Sequence, residues 1–240
     1  MSIPKIFPAG MDQLLIAALA QDSSCSFILY LDSREKPPVR NSRSGKAPPL
    51  RVIAGQYGSR PLHSLRGLDL RPTSDRLRET LFNVLSAGNP SALEGSVWID
   101  LYAGTGAVGI EALSRGARQV YFVESSLPAI KLIRQNLASL GVAAGFELLH
   151  LEATKALQKV ETRCSPVDFV FLDPPYRMRE EYARSLRLLA SSSLLHPASL
   201  VTAEHEKKFD PGGEFGILRR YRRLEQGDAA LSFYRWESEL

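Results

Sequence analysis

The sequence predicts an α/β fold in which a mostly parallel, Rossmann-like sheet of seven strands carries helices on both faces and ends in an antiparallel hairpin. From residue 97 onward, short apolar segments typical of buried strands alternate with amphipathic segments typical of helices, and such strand–helix units build parallel sheets. Near the C terminus the alternation stops. There the apolar segments 215–221 and 230–236 are separated only by residues 222–228, which leaves no room for a crossover helix. These two strands are therefore predicted to pair antiparallel.

The other elements follow from the spacing of apolar residues and from the signals at their ends. Strands are predicted at residues 97–102, 119–123, 146–149, 168–172 and 199–203. Helices are predicted at residues 108–114, 128–139, 154–160 and 180–191. The second of these helices has the most complete end signals, since Ser125 or Ser126 can cap it, Pro128 lies in its first turn and Gly141 follows it.

Composition indicates one sizeable core. The chain has 240 residues, of which 44% are hydrophobic, and a net charge of +4 with a pI of about 9.1. This basic balance is compatible with nucleic-acid binding but also occurs in proteins that bind none. Cys25 and Cys164 form no CxxC or Cys/His spacing, so we expect free thiols in a reducing compartment and no metal site.

No targeting or membrane segment is evident in the sequence. The longest apolar run near the start, residues 14–20, is far shorter than a membrane helix and lacks the basic flank and cleavage site of a signal peptide. We therefore expect a cytoplasmic protein with no membrane partner.

Three regions differ in composition. Residues 1–49 are expected to be a disordered extension, because residues 32–49 are rich in proline, serine and charge. Residues 50–90 are predicted to form a small hairpin followed by a basic helix. Residues 91–240 carry the alternating strands and helices.

The region 50–90 contains the candidate phosphate-binding side chains. The hairpin is predicted from strands at 51–54 and 60–65. Thr73 or Ser74 can then cap a helix whose apolar face carries Leu77, Leu81, Phe82 and Leu85. Its other face is predicted to present Arg76 and Arg78. The alternative, an ordinary solvated helix face, stays open.

A glycine-rich loop follows the first strand of the sheet. Residues 100–109 read Asp-Leu-Tyr-Ala-Gly-Thr-Gly-Ala-Val-Gly. Gly104 and Gly106 allow a tight turn and the close approach of a ligand, and Gly109 lets the next helix lie near the strand. Glu124 ends the second strand, where a carboxylate can accept hydrogen bonds from both ribose hydroxyls. A nucleoside cofactor fits, either NAD or S-adenosylmethionine; a tight turn without a ligand is the alternative.

A second motif, Asp173-Pro174-Pro175-Tyr176, follows the strand at 168–172 and so lies at the carboxyl edge of the sheet, where ligands of open α/β sheets bind. Each proline removes an N–H and favours extended geometry before it, which leaves carbonyl oxygens and the Asp173 carboxylate as acceptors. Two acceptors and an aromatic face suit a planar base that carries an NH2 group. A proline-rich loop with a buried tyrosine is the alternative.

The two motifs together resemble the amino-methyltransferase branch of the class I S-adenosylmethionine-dependent methyltransferases, whose sheet also ends in an antiparallel hairpin. Three further stretches resemble, more narrowly, the bacterial 16S rRNA (guanine(966)-N2)-methyltransferases. These are residues 51–56, residues 71–83, which read RPTSDRLRETLFN, and residues 109–116. The resemblance covers about residues 50–238, and the first 49 residues have no counterpart in it.

The resemblance implies a methyltransferase domain at 91–240, S-adenosylmethionine as cofactor, and 16S rRNA in a small-subunit assembly particle as the substrate of a monomeric enzyme. The implied cofactor contacts are Asp100, Tyr102, Gly104, Gly106, Glu124, Glu152 and Ala153. The implied catalytic residues are Asp173, Pro174, Pro175 and Tyr176. The RNA-binding candidates are Arg60, Arg71, Arg76 and Arg78. Asp75, Arg76 and Arg78 are alternatively candidates for contact with the carboxylate end of the cofactor. At 152–153 the chain departs from relatives that place Asp or Asn there for the adenine.

The chemistry of an exocyclic amine then assigns roles within the second motif. The Asp173 carboxylate and the Pro174 carbonyl would accept the protons of guanine N2, Tyr176 would stack on the base, and positioning of the methyl donor would provide much of the rate. No metal is expected. An adenine N6 or cytosine N4 methyltransferase would share these residues and stays open, although DNA enzymes usually need a larger recognition region. An NAD-dependent oxidoreductase would not explain the second motif, and an inactive RNA-binding module would have no use for Asp173.

Overall fold

The computed structural model describes residues 50–64, 74–163 and 166–237. Within these residues, one mixed sheet of eight strands forms the centre of the fold. Its strands are β1 Val97–Leu101, β2 Gln119–Glu124, β3 Phe146–His150, β4 Val167–Leu172, β5 Leu195–Glu206, β6 Glu214–Phe215, β7 Leu218–Gln226 and β8 Ala229–Trp236. Their order is β3-β2-β1-β4-β5-β8-β7-β6. The first five strands pair in parallel, and β8, β7 and β6 pair antiparallel. The predicted fold class is therefore confirmed.

Among the described residues, five α-helices cover the two faces of the sheet. They are α1 Asp75–Leu85, α2 Ala107–Ser114, α3 Leu127–Leu140, α4 Ala153–Glu161 and α5 Arg179–Ser191, with a short 3-10 turn at Pro90–Leu93. Helices α1, α2 and α3 pack on one face, around Trp98, and α4 and α5 pack on the other. The end signals of α3 are confirmed, because Ser126 caps it and Gly141 ends it at φ 77°.

The terminal hairpin is longer than predicted. Residues 222–226 belong to β7, so the predicted loop at 222–228 is wrong and the connection shrinks to Gly227 and Asp228. β6 forms the eighth strand. Within the charged run 222–226, Glu225 pairs with Lys207 at 2.8 Å and with Arg223 at 2.5 Å. Polar side chains are tolerated where a strand lies near the edge of a sheet.

The segment before α1 is less regular than predicted. Its two arms form one isolated antiparallel bridge, between Arg51 and Pro61, rather than two strands. The predicted small hairpin is present, because the N–H of Val52 donates to the Arg60 carbonyl at 2.9 Å and that of Leu62 to the Leu50 carbonyl at 2.8 Å. The N–H groups of Ile53 and Ala54 donate instead to the Glu111 carboxylate of α2, at 2.7 and 3.0 Å, so the paired part is shorter than predicted. The predicted strand end at residue 65 and the alternative cap Thr73 lie outside the described residues.

This segment docks directly on α2. Ser114 accepts a hydrogen bond from the N–H of Tyr57 at 3.0 Å, and its carbonyl accepts one from Gln56 at 2.7 Å. At Gly55, whose φ is +81°, a Cβ would lie 1.9 Å from the Ser114 carbonyl oxygen, so no other residue fits there. Two of the stretches singled out in the sequence, residues 51–56 and 109–116, are therefore in contact.

The region before β1 shares the core of the sheet instead of forming its own. Its buried side chains belong to one cluster with Trp98 of β1, namely Val52, Leu62, Leu77, Leu81, Phe82 and Leu85. The Trp98 ring stacks between Phe82 at 5.4 Å and Phe169 at 4.6 Å. The apolar face predicted for the helix is thus the one that packs.

Several predictions fall on other parts of the chain. The extension 1–49, Cys25 and Cys164 lie outside the described residues. Within the described ranges, no helix is long and apolar enough to cross a bilayer.

Candidate active site

The register of the sheet brings the two sequence motifs together. Asp100 and Leu101 of β1 pair with Phe171 and Leu172 of β4. The glycine loop, which continues from β1, and Asp173, which follows β4, therefore leave neighbouring strands at the same carboxyl edge. In open α/β sheets this edge is where ligands bind.

The glycine loop has the geometry that close approach of a ligand needs. Gly104 and Gly106 have φ of 53° and 77°, and Gly106 begins α2 in the left-handed region. Tyr102 also has a positive φ, 63°, which is unusual for a residue with a side chain and typical of a functional turn. At Gly109 a Cβ would lie 2.3 Å from the Phe122 ring, so this glycine lets α2 lie against β2.

Asp100 lies beneath the loop. Its side chain is buried, and its Oδ2 accepts a hydrogen bond from the N–H of Gly109 at 2.9 Å. Burial raises the pKa of Asp100 to about 7, and the nearby Glu124 carboxylate adds to the rise. Asp100 therefore holds the start of α2, and its charge state changes near neutral pH.

Glu124 connects both sides of the predicted cofactor site. Its Oε2 accepts a hydrogen bond from the N–H of Gly104 at 3.0 Å, and its Oε1 accepts one from the N–H of Ser126 at 2.8 Å. A carboxylate offers about four lone-pair sites. Each oxygen can therefore accept a further bond, as two ribose hydroxyls would require.

The other predicted cofactor contacts lie around this centre. The Tyr102 hydroxyl donates to Glu181 of α5 at 3.0 Å and lies 3.1 Å from the Ser185 hydroxyl, so α5 holds this ring. Glu152 is exposed and 3.2 Å from Lys155, while Ala153 is buried at the start of α4. The roles of these residues toward the adenine stay predictions.

The hydrogen-bond acceptors of the second motif differ in burial and in the partners they already have. Asp173 is half-buried, whereas Pro174 is buried and Pro175 exposed. The Pro175 carbonyl accepts the N–H of Met178 at 2.7 Å and is committed to a turn. The Pro174 carbonyl is only 3.4 Å from the Tyr182 hydroxyl, which bonds better to the Glu204 carbonyl at 2.9 Å. Asp173 and the Pro174 carbonyl are thus the acceptors that a ligand can use, with the half-buried Tyr176 beside them.

The environment of Asp173 favours its neutral form. Burial raises its pKa well above the ordinary value, and the carboxylates of Glu204 and Asp100 raise it further. Glu204 was not predicted from the sequence, because the strand was expected to end at Ala203. It is 5% exposed and belongs to β5, which continues to Glu206. The period-2 alternation of Leu200, Thr202 and Glu204 was the signal that could have found it.

The four RNA-binding candidates have different surroundings. The Arg60 guanidinium binds the last carbonyls of α3, those of Leu140 at 3.0 Å and Ser139, and so stabilises the helix end. Arg76 is exposed on α1. Arg71 lies outside the described residues.

The predicted exposure of Arg78 on α1 is wrong. It was expected on the solvent-facing side of α1, yet its side chain is fully buried. Its Nη2 donates to the Asp75 carboxylate at 2.6 Å and to the Arg51 carbonyl at 2.8 Å. The helix turns Arg78 inward because Leu77, Leu81, Leu85 and Arg78 share the buried side. A surface phosphate contact by this side chain is excluded in this arrangement, while contact with the carboxylate end of the cofactor stays a prediction.

Comparison with known proteins gives a consistent result. The family described as conserved hypothetical protein 95 matches residues 50–235. YlbH of Bacillus subtilis is 30% identical over 186 residues, covering 78% of this chain and 98% of YlbH. Ribosomal RNA small subunit methyltransferase D of Escherichia coli K12 is 35% identical over 157 residues, covering 65% of this chain and 75% of that protein. The solved structure of YhhF from Escherichia coli has a TM-score of 0.65 at 29% identity, covering 79% of this chain and 98% of YhhF.

Proposed function

This chain belongs to the conserved hypothetical protein 95 family, and we propose that it methylates the exocyclic N2 amine of a guanine in 16S rRNA. It is an S-adenosylmethionine-dependent rRNA methyltransferase with a class I fold. The observation that carries the proposal is the pairing of β1 with β4, which sets the nucleoside-binding loop beside Asp173 and the Pro174 carbonyl.

The residues at the glycine loop fit the cofactor. Gly104 and Gly106 leave room at the backbone, and Glu124 retains acceptor capacity on both oxygens. These residues would hold the nucleoside, and Tyr102 and Asp100 would shape the loop around the amino-acid end. When bound, S-adenosylmethionine supplies an electrophilic methyl group at the carboxyl edge of β1 and β4.

Asp173 and the Pro174 carbonyl would hold the target amine. The guanine N2 lone pair is delocalised into the ring and attacks carbon poorly. Two acceptors that bind its protons would favour a pyramidal nitrogen and aim it at the methyl carbon. After the N–C bond forms, the methylated amine can release one proton, and Asp173 serves as a hydrogen-bond acceptor rather than as a strong base. Tyr176 would stack on the base.

The choice of guanine N2 over adenine N6 or cytosine N4 comes from the family resemblance. All three amines fit two acceptors and an aromatic face. Family membership removes the alternative of an NAD-dependent oxidoreductase.

The proposal also includes the contact with RNA phosphate, the substrate particle and the oligomeric state of the enzyme. Arg76, exposed on α1, is the candidate for contact with rRNA phosphate. The substrate would be a small-subunit assembly particle. The enzyme would be a monomer that acts in the cytoplasm.

Methyl transfer to defined RNA tests the proposal. Purified protein and tritiated S-adenosylmethionine are incubated with total RNA and with small-subunit particles from cells that lack the gene, and the labelled nucleosides are separated. We expect label in N2-methylguanosine of small-subunit RNA. Label in N6-methyladenosine or N4-methylcytidine would contradict the guanine assignment while leaving the methyltransferase intact.

A further inference from the structure

Strands β7 and β8 carry five arginines, and those on the side of α5 are already paired. Arg220 lies opposite Tyr234, in the core beneath α4 and α5. Its guanidinium donates to both oxygens of Asp210, at 2.5 and 3.1 Å. Arg223 pairs with Glu225 at 2.5 Å. The charges of these two arginines are therefore largely neutralised within the protein.

The other face of the same two strands gathers arginines around an exposed tyrosine. A bulge in β7 leaves Tyr221 outside the register, beside Arg222, which lies opposite Phe233. The Tyr221 ring lies 6.2 Å from the Phe233 ring, which belongs to the core beneath α1. Arg235 follows Phe233 by two residues on β8 and so shares its face. The Arg235 guanidinium lies over the Tyr221 ring, 5.7 Å from its centroid.

These arginines are accessible and only weakly neutralised. The Arg235 side chain is 55% exposed, and Glu237, at 3.9 Å, is at the outer limit of an ion pair. Arg222 is exposed and makes no hydrogen bond or ion pair with the part of the chain that the structure describes. Exposed ion pairs contribute little, and a guanidinium matches the geometry of a phosphate. This face of β7 and β8 therefore offers two cations to an anionic ligand.

The surface adjoins the helix that carries the exposed Arg76. Thr80 of α1 donates a hydrogen bond to the Gln226 side chain at the end of β7, at 3.1 Å. Arg76 precedes Thr80 by four residues, which is about one helical turn, and so lies on the same side of α1. The arginines of β7 and β8 thus continue a basic surface that begins on α1.

The register of the sheet relates this surface to the candidate active site. Arg222 is level with Phe233, Thr202 and Phe171 on successive strands. Asp173 follows Phe171 by two residues, so Arg222 lies three strands across from the site, about 14 Å at ordinary strand spacing. Interfaces with nucleic acid bury about 1,000 Å² or more of protein surface. An RNA with its target base at Asp173 can therefore also reach these arginines.

We propose that Arg222 and Arg235, held apart by the Tyr221 ring, bind phosphates of 16S rRNA and extend the contact made by Arg76. The choice of RNA as the anion rests on the proposed function, since the chain is an rRNA methyltransferase. Phosphate contacts fix the position of a nucleic acid without reading its bases. The surface would thus orient the rRNA while the carboxyl edge of the sheet selects and methylates the base.

The salt dependence of rRNA binding tests this surface. Binding of 16S rRNA by the full chain is measured over a range of KCl concentrations for the wild type and for the double variant Arg222→Gln, Arg235→Gln. Loss of two phosphate contacts should raise the Kd at least about tenfold at about 0.1 M KCl and reduce the slope of log K against log salt by about 1.5. In single-turnover methylation the same variant should raise KM and keep kcat, because neither arginine touches the reacting atoms.

A second double variant controls for net charge. Arg163→Gln, Arg187→Gln removes the same charge from exposed positions after α4 and on α5, which pack on the opposite face. Its Kd should stay within about twofold of the wild type, because screening limits the effect of distant charges. Tyr221→Phe keeps the ring beneath Arg235 and should bind like the wild type, whereas Tyr221→Ala should weaken binding.

The outcomes separate this surface from the proposed function. An unchanged Kd and salt slope in the Arg222, Arg235 variant, or a wild type with no affinity for 16S rRNA at low salt, would overturn the proposal. Weaker binding to small-subunit particles without weaker binding to naked 16S rRNA would also overturn it, since the surface would then contact a protein of the particle. A wild type that binds 16S rRNA through these arginines yet transfers no methyl group would leave the surface standing and contradict the proposed function.

Discussion

Glu124 and Gly104 are joined by a hydrogen bond of 3.0 Å from the glycine N–H to the carboxylate Oε2. The other oxygen binds the N–H of Ser126, which caps α3. The side chain proposed to hold the ribose thus also joins the glycine loop to the start of α3. We therefore expect a change at Glu124 to alter both the ligand contact and the shape of the loop.

Glu124→Ala should therefore weaken binding of S-adenosylmethionine. Hydrogen bonds to a charged group contribute about 1.5–3 kcal/mol each, so the Kd should rise more than about tenfold. Isothermal titration calorimetry measures this directly. Glu124→Gln keeps one carbonyl acceptor and should give an intermediate Kd. Unchanged affinity in the Ala variant would remove Glu124 from the site.

Asp173→Ala should separate turnover from cofactor binding. In the proposed site Asp173 holds the amine, whose bonding changes in the transition state, so its loss should lower kcat while the Kd for S-adenosylmethionine stays near that of the wild type. Tyr176→Ala should instead raise KM, since base stacking contributes about 1–3 kcal/mol, and Tyr176→Phe should be mild. Single-turnover kinetics on small-subunit particles tests both. Near wild-type turnover in Asp173→Ala would overturn the assignment of this motif.

Glu111→Ala should destabilise the fold strongly. The Glu111 carboxylate is fully buried and accepts bonds from the N–H groups of Ile53 and Ala54 and from Arg115 at 2.7 Å. Its removal leaves buried donors and one cation unpaired, with an expected loss of about 3–5 kcal/mol. Urea unfolding measures the change. Glu147→Ala, which removes a partner of Arg163 at the surface, should cost about 0.5 kcal/mol or less.

Asp100 should make stability fall as pH rises. Its pKa is about 7 in the folded chain, because the side chain is buried, and about 3.9 when unfolded. Between these values the folded state holds one more proton, so the free energy of unfolding should fall by about 1.4 kcal/mol per pH unit. Above pH 7 this contribution is constant.

Asp100→Asn should remove that slope. Urea unfolding between pH 5 and 8 should show the variant gaining on the wild type up to about pH 7 and no further. Asp210→Asn is the matched control: binding to Arg220 lowers the Asp210 pKa to about 2, so its effect should be constant across this interval. Parallel profiles for Asp100→Asn and the wild type would contradict the buried, protonated state of Asp100.

A chain that begins at Pro49 should fold and methylate as well as the full chain. Residues 32–49 lack the apolar content to build a core, and the described core begins with Leu50 and Val52. Circular dichroism melting and methyl transfer to small-subunit particles compare the two chains. Loss of soluble protein or of activity on truncation would show that the extension contributes.

The sequence was sufficient where local signals decide structure. Ser126, Pro128 and Gly141 mark α3 because caps and proline act within one turn. The sheet could be predicted because alternating strands and helices have few ways to bury both faces. The same rule predicts, from the sequence alone, that the glycine loop and Asp173 lie at one edge of the sheet.

Side-chain environment could not be read from the sequence in the same way. Residues 222–226 read as a loop because they are mostly charged or polar, and nothing local shows that Glu225 pairs with Lys207 from another part of the chain. Arg78 read as solvent-facing because nothing in α1 itself shows that the Arg51 carbonyl lies against its inner side.

The sequence by itself therefore determined the order of elements, the class of fold and the two motifs at the carboxyl edge, since these depend on local periodicity and on chain connectivity. Only the tertiary structure decided which charges are buried and which groups they face. It placed Glu204 level with Asp173 on the neighbouring strand and buried Arg78 against Asp75 and the Arg51 carbonyl. The physical reason is that burial and ion pairing depend on neighbours far along the chain, and the effective dielectric at each site is set by packing.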